Sequence, residues 1–115
     1  MYVRKLFTNT FIAISVPLNA VIKPLSRRVS VGSSLTINCS MNGNPIAELI
    51  WLKDGKPLFI DGIKYKSNAI ADTIATLTIQ SIAFEEKGIY QCFVSNDEHS
   101  AQTSILITIS FETFN

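Results

Sequence analysis

The sequence predicts an all-β sandwich built from two antiparallel sheets, and three observations predict it. Short runs of alternating apolar and polar residues recur along the chain, separated by Gly, Pro, Asn and Asp turn signals. Half-buried strands read this way, and no helical period longer than one turn competes with them. The single tryptophan, Trp51, lies between the two cysteines, Cys39 and Cys92, and each of the three sits on the inward side of its own run. Residues 86–92, Glu-Lys-Gly-Ile-Tyr-Gln-Cys, read as a turn feeding a strand. Gly88 permits the tight corner, after which Tyr90, Cys92 and Val94 alternate onto one face. Two readings of the cysteines stand at this point. They bridge sheets about 10 Å apart, or they are two buried thiols, free Cys being among the most buried residue types.

Residues 1–20 stand apart from the strand pattern. Arg4 and Lys5 precede the apolar run Phe11-Ile12-Ala13-Ile14, which Val16 and Leu18 continue and the small Ala20 closes. That is the order of a secretory signal. Thr8-Asn9-Thr10 and the interruptions at Ser15 and Pro17 suit an extra ordered strand or a leader on a fragment as well. No stretch supplies the ~20 near-continuous apolar residues of a transmembrane helix.

The predicted domain occupies residues 21–110. Residues 21–25 read as a first edge strand, where Pro24 is tolerated because an edge need not donate every ladder bond. Residues 28–31, closed by Gly32, read as a second edge segment. The strand at 34–41 turns Leu35, Ile37 and Cys39 inward and Thr36, Asn38 and Ser40 outward. Asn42-Gly43-Asn44-Pro45 is a turn cluster. The strand at 48–53 turns Leu49 and Trp51 inward. Asp54-Gly55 is a two-residue hairpin signal that returns the chain through 56–59. Asp61-Gly62 turns again, and 63–67 and 73–79 read as strands, the second with Ala75, Leu77 and Ile79 inward. Ile82 packs at the corner before Glu86. Strands at 88–95 and 101–109, joined by the polar loop 96–100, complete the set. The expected core is therefore Trp51, Tyr90, Leu77 and Ile79 around the cysteines, and residues 111–115 begin a linker.

Composition narrows the function. A chain of 115 residues is one domain, burying about two-thirds of its surface on folding. A formal net charge of +1 gives no global field toward nucleic acid or anionic membrane. Arg27-Arg28 has no interleaved aromatic residues and reads as a solvated corner. A hydrophobic content of 47% excludes a disordered chain. Enzymatic chemistry finds little to work with. His99 is the one histidine, in a polar loop with Asp97 and Glu98, and Ser95 or Ser100 beside it would sit on a hairpin tip without oxyanion donors. The same three side chains are too few to hold a metal. We therefore expect no catalysis, no cofactor and no metal.

The outward residues are more informative. With Trp51 and Cys92 inward, Ile50 and Leu52 face out on one strand, and Ile89, Gln91 and Phe93 face out on its neighbour. Leu52 and Phe93 would then form an exposed apolar patch, the usual mark of a protein partner. Two alternatives are a patch covered by a side chain such as Phe59 and an ordinary scatter of apolar residues. The opposite sheet presents Thr36, Asn38, Ser40, Thr76, Thr78 and Gln80 instead. Asn38-Cys39-Ser40 is an N-glycosylation sequon on that polar face.

The strings Gly32-Ser33-Ser34-Leu35-Thr36-Ile37-Asn38-Cys39, Pro45-Ile46-Ala47-Glu48-Leu49-Ile50-Trp51, Lys53-Asp54-Gly55-Lys56-Pro57-Leu58 and Leu77-Thr78-Ile79, with Ile82, Glu86, Gly88, Tyr90 and Cys92, resemble the I-set immunoglobulin domains. The resemblance spans residues 20–110 and is nearest to the Down syndrome cell adhesion molecule (Dscam) group of arthropods. It implies an immunoglobulin-like sandwich whose sheets are joined by a Cys39–Cys92 disulfide, contributing roughly 2–4 kcal/mol. It also implies a Tyr90 hydroxyl bonded back to the preceding corner. By resemblance, the function is extracellular or cell-surface adhesion, with a protein partner that can be an identical domain on another chain. Membrane attachment would come only through a further part of a longer chain. The same strings occur in cytoplasmic muscle and cytoskeletal I-set domains, which are structural spacers with reduced cysteines, and this is the alternative. Two departures are visible. Ala47 replaces a frequent proline, and Glu86 replaces the usual aspartate. An ion pair from Glu86 to Lys64 or Lys66 is expected to be longer and looser than the family's.

Overall fold

A computed structural model describes residues 16–44, 46, 48–71 and 73–111. Nine strands follow in order: β1 (Val16–Ile22), β2 (Ser26–Ser30), β3 (Leu35–Asn44), β4 (Glu48–Lys53), β5 (Lys56–Pro57), β6 (Tyr65–Ala71), β7 (Ile74–Ile79), β8 (Gly88–Ser95) and β9 (Ser100–Ser110). A single 3-10 turn, Phe84–Glu86, precedes β8. One sheet has the order β1-β3-β7-β6 and the other β2-β9-β8-β4-β5. All pairings are antiparallel except β2 with β9, which is parallel.

Alternation explains the layering, because successive strand side chains point to opposite faces. Ile37 and Cys39 on β3, Ala75, Leu77 and Ile79 on β7, Tyr90, Cys92 and Val94 on β8, and Ile105 and Ile107 on β9 all meet in one buried core. Cys39 and Cys92 are joined as a disulfide between β3 and β8, with Cα atoms 6.4 Å apart. Trp51 stands in register with Cys92 and is buried. Its indole N–H donates to Ser67 Oγ at 3.2 Å, tying β4 to β6 on the opposite sheet. A buried indole N–H needs such a partner.

The N-terminal edge differs from the sequence expectation. The first strand is not 21–25 but Val16–Ile22, and the second begins at Ser26 rather than at 28. Leu18, Ala20 and Ile22 form the alternating set that faces the core. Lys23, Pro24 and Leu25, with a cis Lys23–Pro24 peptide, make the crossing from one sheet to the other. Pro24 marks the exit from a strand because it cannot donate to a ladder. The sandwich therefore starts five residues before the expected boundary at 21, inside the stretch read as a leader. Residues 1–15, where the rest of that leader reading falls, and 112–115 of the linker lie outside the described residues.

β6 is displaced as well, to Tyr65–Ala71 instead of 63–67. Asp61 Oδ1 accepts the backbone N–H groups of Ile63 and Lys64 at 2.8 Å and of Tyr65 at 3.1 Å, which holds a turn where the strand was expected to begin. A short side-chain acceptor competing for backbone donors is the usual reason Asp starts turns.

Replacing Trp51 by Ala should lower stability by roughly 3–5 kcal/mol, the cost of an aromatic-sized core cavity, read as a fall in the urea midpoint at unchanged slope. A midpoint that hardly moves would mean that the strand is turned the other way and its outer face wrongly assigned.

Candidate recognition surface

The outer face of the five-stranded sheet is laid out by its registers. Ile50 on β4 pairs with Phe93 on β8, which pairs with Gln102 on β9. The next row is Pro57, Leu52, Gln91 and Ser104, and the one beyond is Ile89, Leu106 and Ser26. Past β5 the Leu58 N–H still donates to the Trp51 carbonyl at 2.9 Å, and Leu58 packs on the core. Phe59 follows Leu58 just past the paired residues, where alternation turns it to the outer side, and it is 80% exposed. At that exposure it covers little of the face.

Ile50, Leu52, Gln91 and Phe93, the residues singled out from sequence, do share this face, and all four are half-buried. More apolar surface comes from Ile89, 46% exposed, from Phe59, which the sequence reading weighed only as a cover for the patch, and from Leu106, 44% exposed, which it passed over. Leu106 was hidden by its neighbours: Ile105-Leu106-Ile107 looks uniformly apolar, and only the strand period separates the outward member. Phe59 was legible from the hairpin register, since Lys53 opposite Lys56 fixes the parity of everything after it. Gln91 Nε2 donates to Gln102 Oε1 at 3.0 Å across the same face.

The frame behind the surface is fixed at two points. At the hairpin tip, Asp54 and Gly55 both have positive φ, 52° and 84°, as a two-residue turn requires. The Asp54 N–H donates to the Ile89 carbonyl at 2.8 Å, and the Ile89 N–H donates to Asp54 Oδ1 at 2.9 Å. That backbone bond holds the Asp54 carboxyl below its ordinary value of 3.8. Gly88, at φ 148°, leaves room for this clamp, since a Cβ there would stand 2.7 Å from Asp54 Oδ1.

The second point is the corner before β8. The Tyr90 hydroxyl donates to the Glu86 carbonyl at 2.6 Å, and burial pushes its phenol far up. The buried Glu86 carboxylate accepts the Ala83 N–H at 2.7 Å and pairs with Lys64 Nζ at 3.2 Å. The ion pair is thus close, with Lys64 as the partner. The expectation of a looser bridge underestimated the reach of the longer glutamate, which is drawn in by its bond to Ala83.

The loop around His99 closes on itself. Asn96 Oδ1 accepts the Glu98 and His99 N–H groups at 2.8 and 2.7 Å, while Ser95 pairs with Ser100 in the ladder. Among the described residues no three His, Cys, Asp or Glu side chains converge as a metal site.

Comparison with known proteins places this geometry. The family model "Immunoglobulin I-set domain" matches residues 18–109. The cell adhesion molecule Dscam1 of Drosophila melanogaster is 38% identical over 96 residues, covering 84% of this chain and 4% of that protein. The muscle M-line assembly protein unc-89 of Caenorhabditis elegans is 36% identical over 83 residues, 72% of this chain and 1% of its own length. In a crystal structure of the N-terminal four Ig domains of Dscam1, the match covers 84% of this chain and 21% of that chain, at 34% identity and a TM-score of 0.68. The chain thus spans a small part of the curated relatives it matches.

Acid should release the Asp54 clamp. Its folded pKa lies below the unfolded one, so the stabilisation is complete above that value of 3.8 and is lost as pH falls through the lower folded pKa. The Ile89 amide should titrate below 3.8 in wild-type protein and not in Asp54→Asn, as read by NMR. A midpoint at or above the ordinary value would show that the clamp is open in solution. Gly88→Ala should lower stability by about 1 kcal/mol or more, and by less in an Asp54→Ala background.

Proposed function

From the premise that the chain belongs to the immunoglobulin I-set family, we propose that it is an extracellular recognition module that docks a second copy of the same domain. The docking surface is the outer face of the β2-β9-β8-β4-β5 sheet. The carrying observation is the asymmetry of the two faces. Phe59, Ile89 and Leu106 stand exposed around half-buried Ile50, Leu52 and Phe93 on this side. On the other sheet's outer face, the side chains that are described include half-buried Val21 and Ile74 beside Ser40 but no exposed large apolar one. Contiguous apolar area of this kind favours a protein partner. The Dscam relatives, named as cell adhesion molecules, support the same reading.

Size sets the strength. Strands about 4.8 Å apart, with β4 six residues long at its centre and β5 only two at its edge, present a plane of roughly 20 by 20 Å. Two such planes bury about 800 Å² in total, below the roughly 1,200 Å² of stable specific interfaces. A single domain should therefore self-associate weakly, with affinity gained when several domains engage together. The mechanism is non-covalent, and neither a nucleic acid nor a cofactor enters it.

A structural spacer inside the cell is the second reading, favoured by the similarity to the muscle protein unc-89. The two readings differ in redox compartment, since a disulfide persists outside the cytosol and is rare within it.

Sedimentation equilibrium tests the docking face. Leu52→Asp and Phe93→Asp should each shift a self-associating parent toward monomer while the fold is retained. Gln102→Asn, which places an asparagine two residues before Ser104 beside Phe93, should do the same once glycosylated in a secretory host, without touching a core residue. Association unchanged in all three variants would sink this face as the interface. Expression with the native N-terminus tests the compartment. Recovery from the medium with no free thiol, processed upstream of Val16, is expected, because a cut after Ala20 would strip Leu18 and Ala20 from the core. Cytosolic protein with two free thiols would instead favour the spacer.

A further inference from the structure

We propose that Asn38 carries an N-linked glycan, and that this glycan closes the β1-β3-β7-β6 face to protein partners. The inference rests on the secretory reading above and adds a covalent modification to it. Its first support is the sequon Asn38-Cys39-Ser40, in which the outer two residues are exposed and the middle one is wholly buried. Alternation places the acceptor amide and the serine hydroxyl on the same outer face.

The surroundings supply the second support. β1 ends at Ile22, opposite Cys39, so Asn38 has no β1 residue paired beside it. Its ladder partner is Thr76 on β7, with Asn68 of β6 next in the row. Thr36 and Thr78 hold each other through their hydroxyls at 3.0 Å. Asn38 makes no side-chain hydrogen bond among the described residues and is free to project. The face around it presents exposed Asn19, Thr36, Ser40, Asn42, Lys66 and Asn68, with half-buried Val21 and Ile74 flanking Ser40 and no exposed carboxylate among the described residues of these strands. Such a predominantly polar surface stays hydrated beneath a glycan.

Chain order makes the chemistry accessible. Cys92 follows Cys39 by 53 residues, so residues 38–40 leave the ribosome well before the disulfide can close and before β7 exists to fix Asn38 in the ladder. The Asn38 amide nitrogen forms a bond to the anomeric carbon of an oligosaccharide, and the bond from that carbon to the phosphate of a lipid pyrophosphate donor breaks. The pair of electrons leaves with the phosphate oxygen, and the amide proton balances the charge.

The test forces secretory entry. The full chain is fused behind a foreign signal sequence in a eukaryotic host, and the disulfide-bonded product is weighed before and after peptide-N-glycosidase treatment. The expected result is a glycan mass on most molecules, removed by the enzyme with residue 38 deamidated, and absent from both Asn38→Gln and Ser40→Ala. Secreted, disulfide-bonded protein with Asn38 unmodified overturns the proposal and leaves the secretory reading standing. Glycosylation of the fused chain with cytosolic retention of the native chain supports the site and removes the secretory reading, so the two failures are distinct. Self-association should be no weaker without the Asn38 glycan than with it, and a gain on its removal would mark the uncovered face. Association that collapses on its removal would overturn the shielding role.

Discussion

The Glu86 carboxylate is the interaction on which the position of β8 depends. It is buried, and burial of a charge is tolerated only where partners replace the lost water. Here the partners come from three parts of the chain: the Ala83 N–H from its own corner, the Lys64 ammonium ahead of β6, and the Tyr65 hydroxyl at 3.4 Å. Its main-chain carbonyl takes the Tyr90 hydroxyl at the same time. One residue thus fixes the corner to β6 and sets the depth of Tyr90. Tyr90 in turn sets the phase of Cys92 and Val94. The net energy is modest, since desolvation offsets most of the attraction in a buried pair. What the arrangement provides is register: a one-residue slip of β8 would send Phe93 inward and Cys92 out.

Register is also what creates the two faces. With Cys92 fixed inward and bonded to Cys39, parity assigns Gln91 and Phe93 to the outside of one sheet and Asn38 and Ser40 to the outside of the other. The apolar outer face and the hydroxyl-rich one are therefore consequences of a single constraint. Asp54 extends the same constraint to the hairpin, because its two bonds to Ile89 keep β4 and β8 from sliding past each other. A docking surface on such strands is preorganised, and binding there loses little side-chain or loop freedom.

Most of this was legible in the sequence, and what was missed has identifiable causes. The strands around Cys39, Trp51, Leu77 and Cys92 were readable because each carries a clean period of two against polar neighbours. The β1 start was not, because Leu18 and Ala20 lie in an apolar N-terminal run with the order of a signal, and periodicity does not separate a strand from such a run. The β6 start depended on three backbone donors converging on Asp61, a competition that composition does not show. Thr76 was assigned outward and is buried, covered in the row between Asn38 and Asn68. Leu106 was hidden between the apolar residues on either side of it, and Phe59 was weighed only as a cover for its neighbours.

A sandwich has four edge strands, and an unpaired edge is itself a route to association. Each edge here is blunted by a different device. β5 is two residues long and ends in Pro57. β2 carries exposed Arg27 and Arg28. β6 breaks register between Ala69 and Ala71. β1 breaks register between Val16 and Asn19, and its Ile22 N–H is taken by Thr103 Oγ1 of the facing sheet at 3.1 Å. Strand addition would have to overcome charge, irregularity or a missing donor at every edge. Face-to-face contact meets no such obstacle on the sheet that displays Phe59, Ile89 and Leu106. With the edges discouraged, the face-to-face docking proposed above is the mode of association that the strand edges do not oppose.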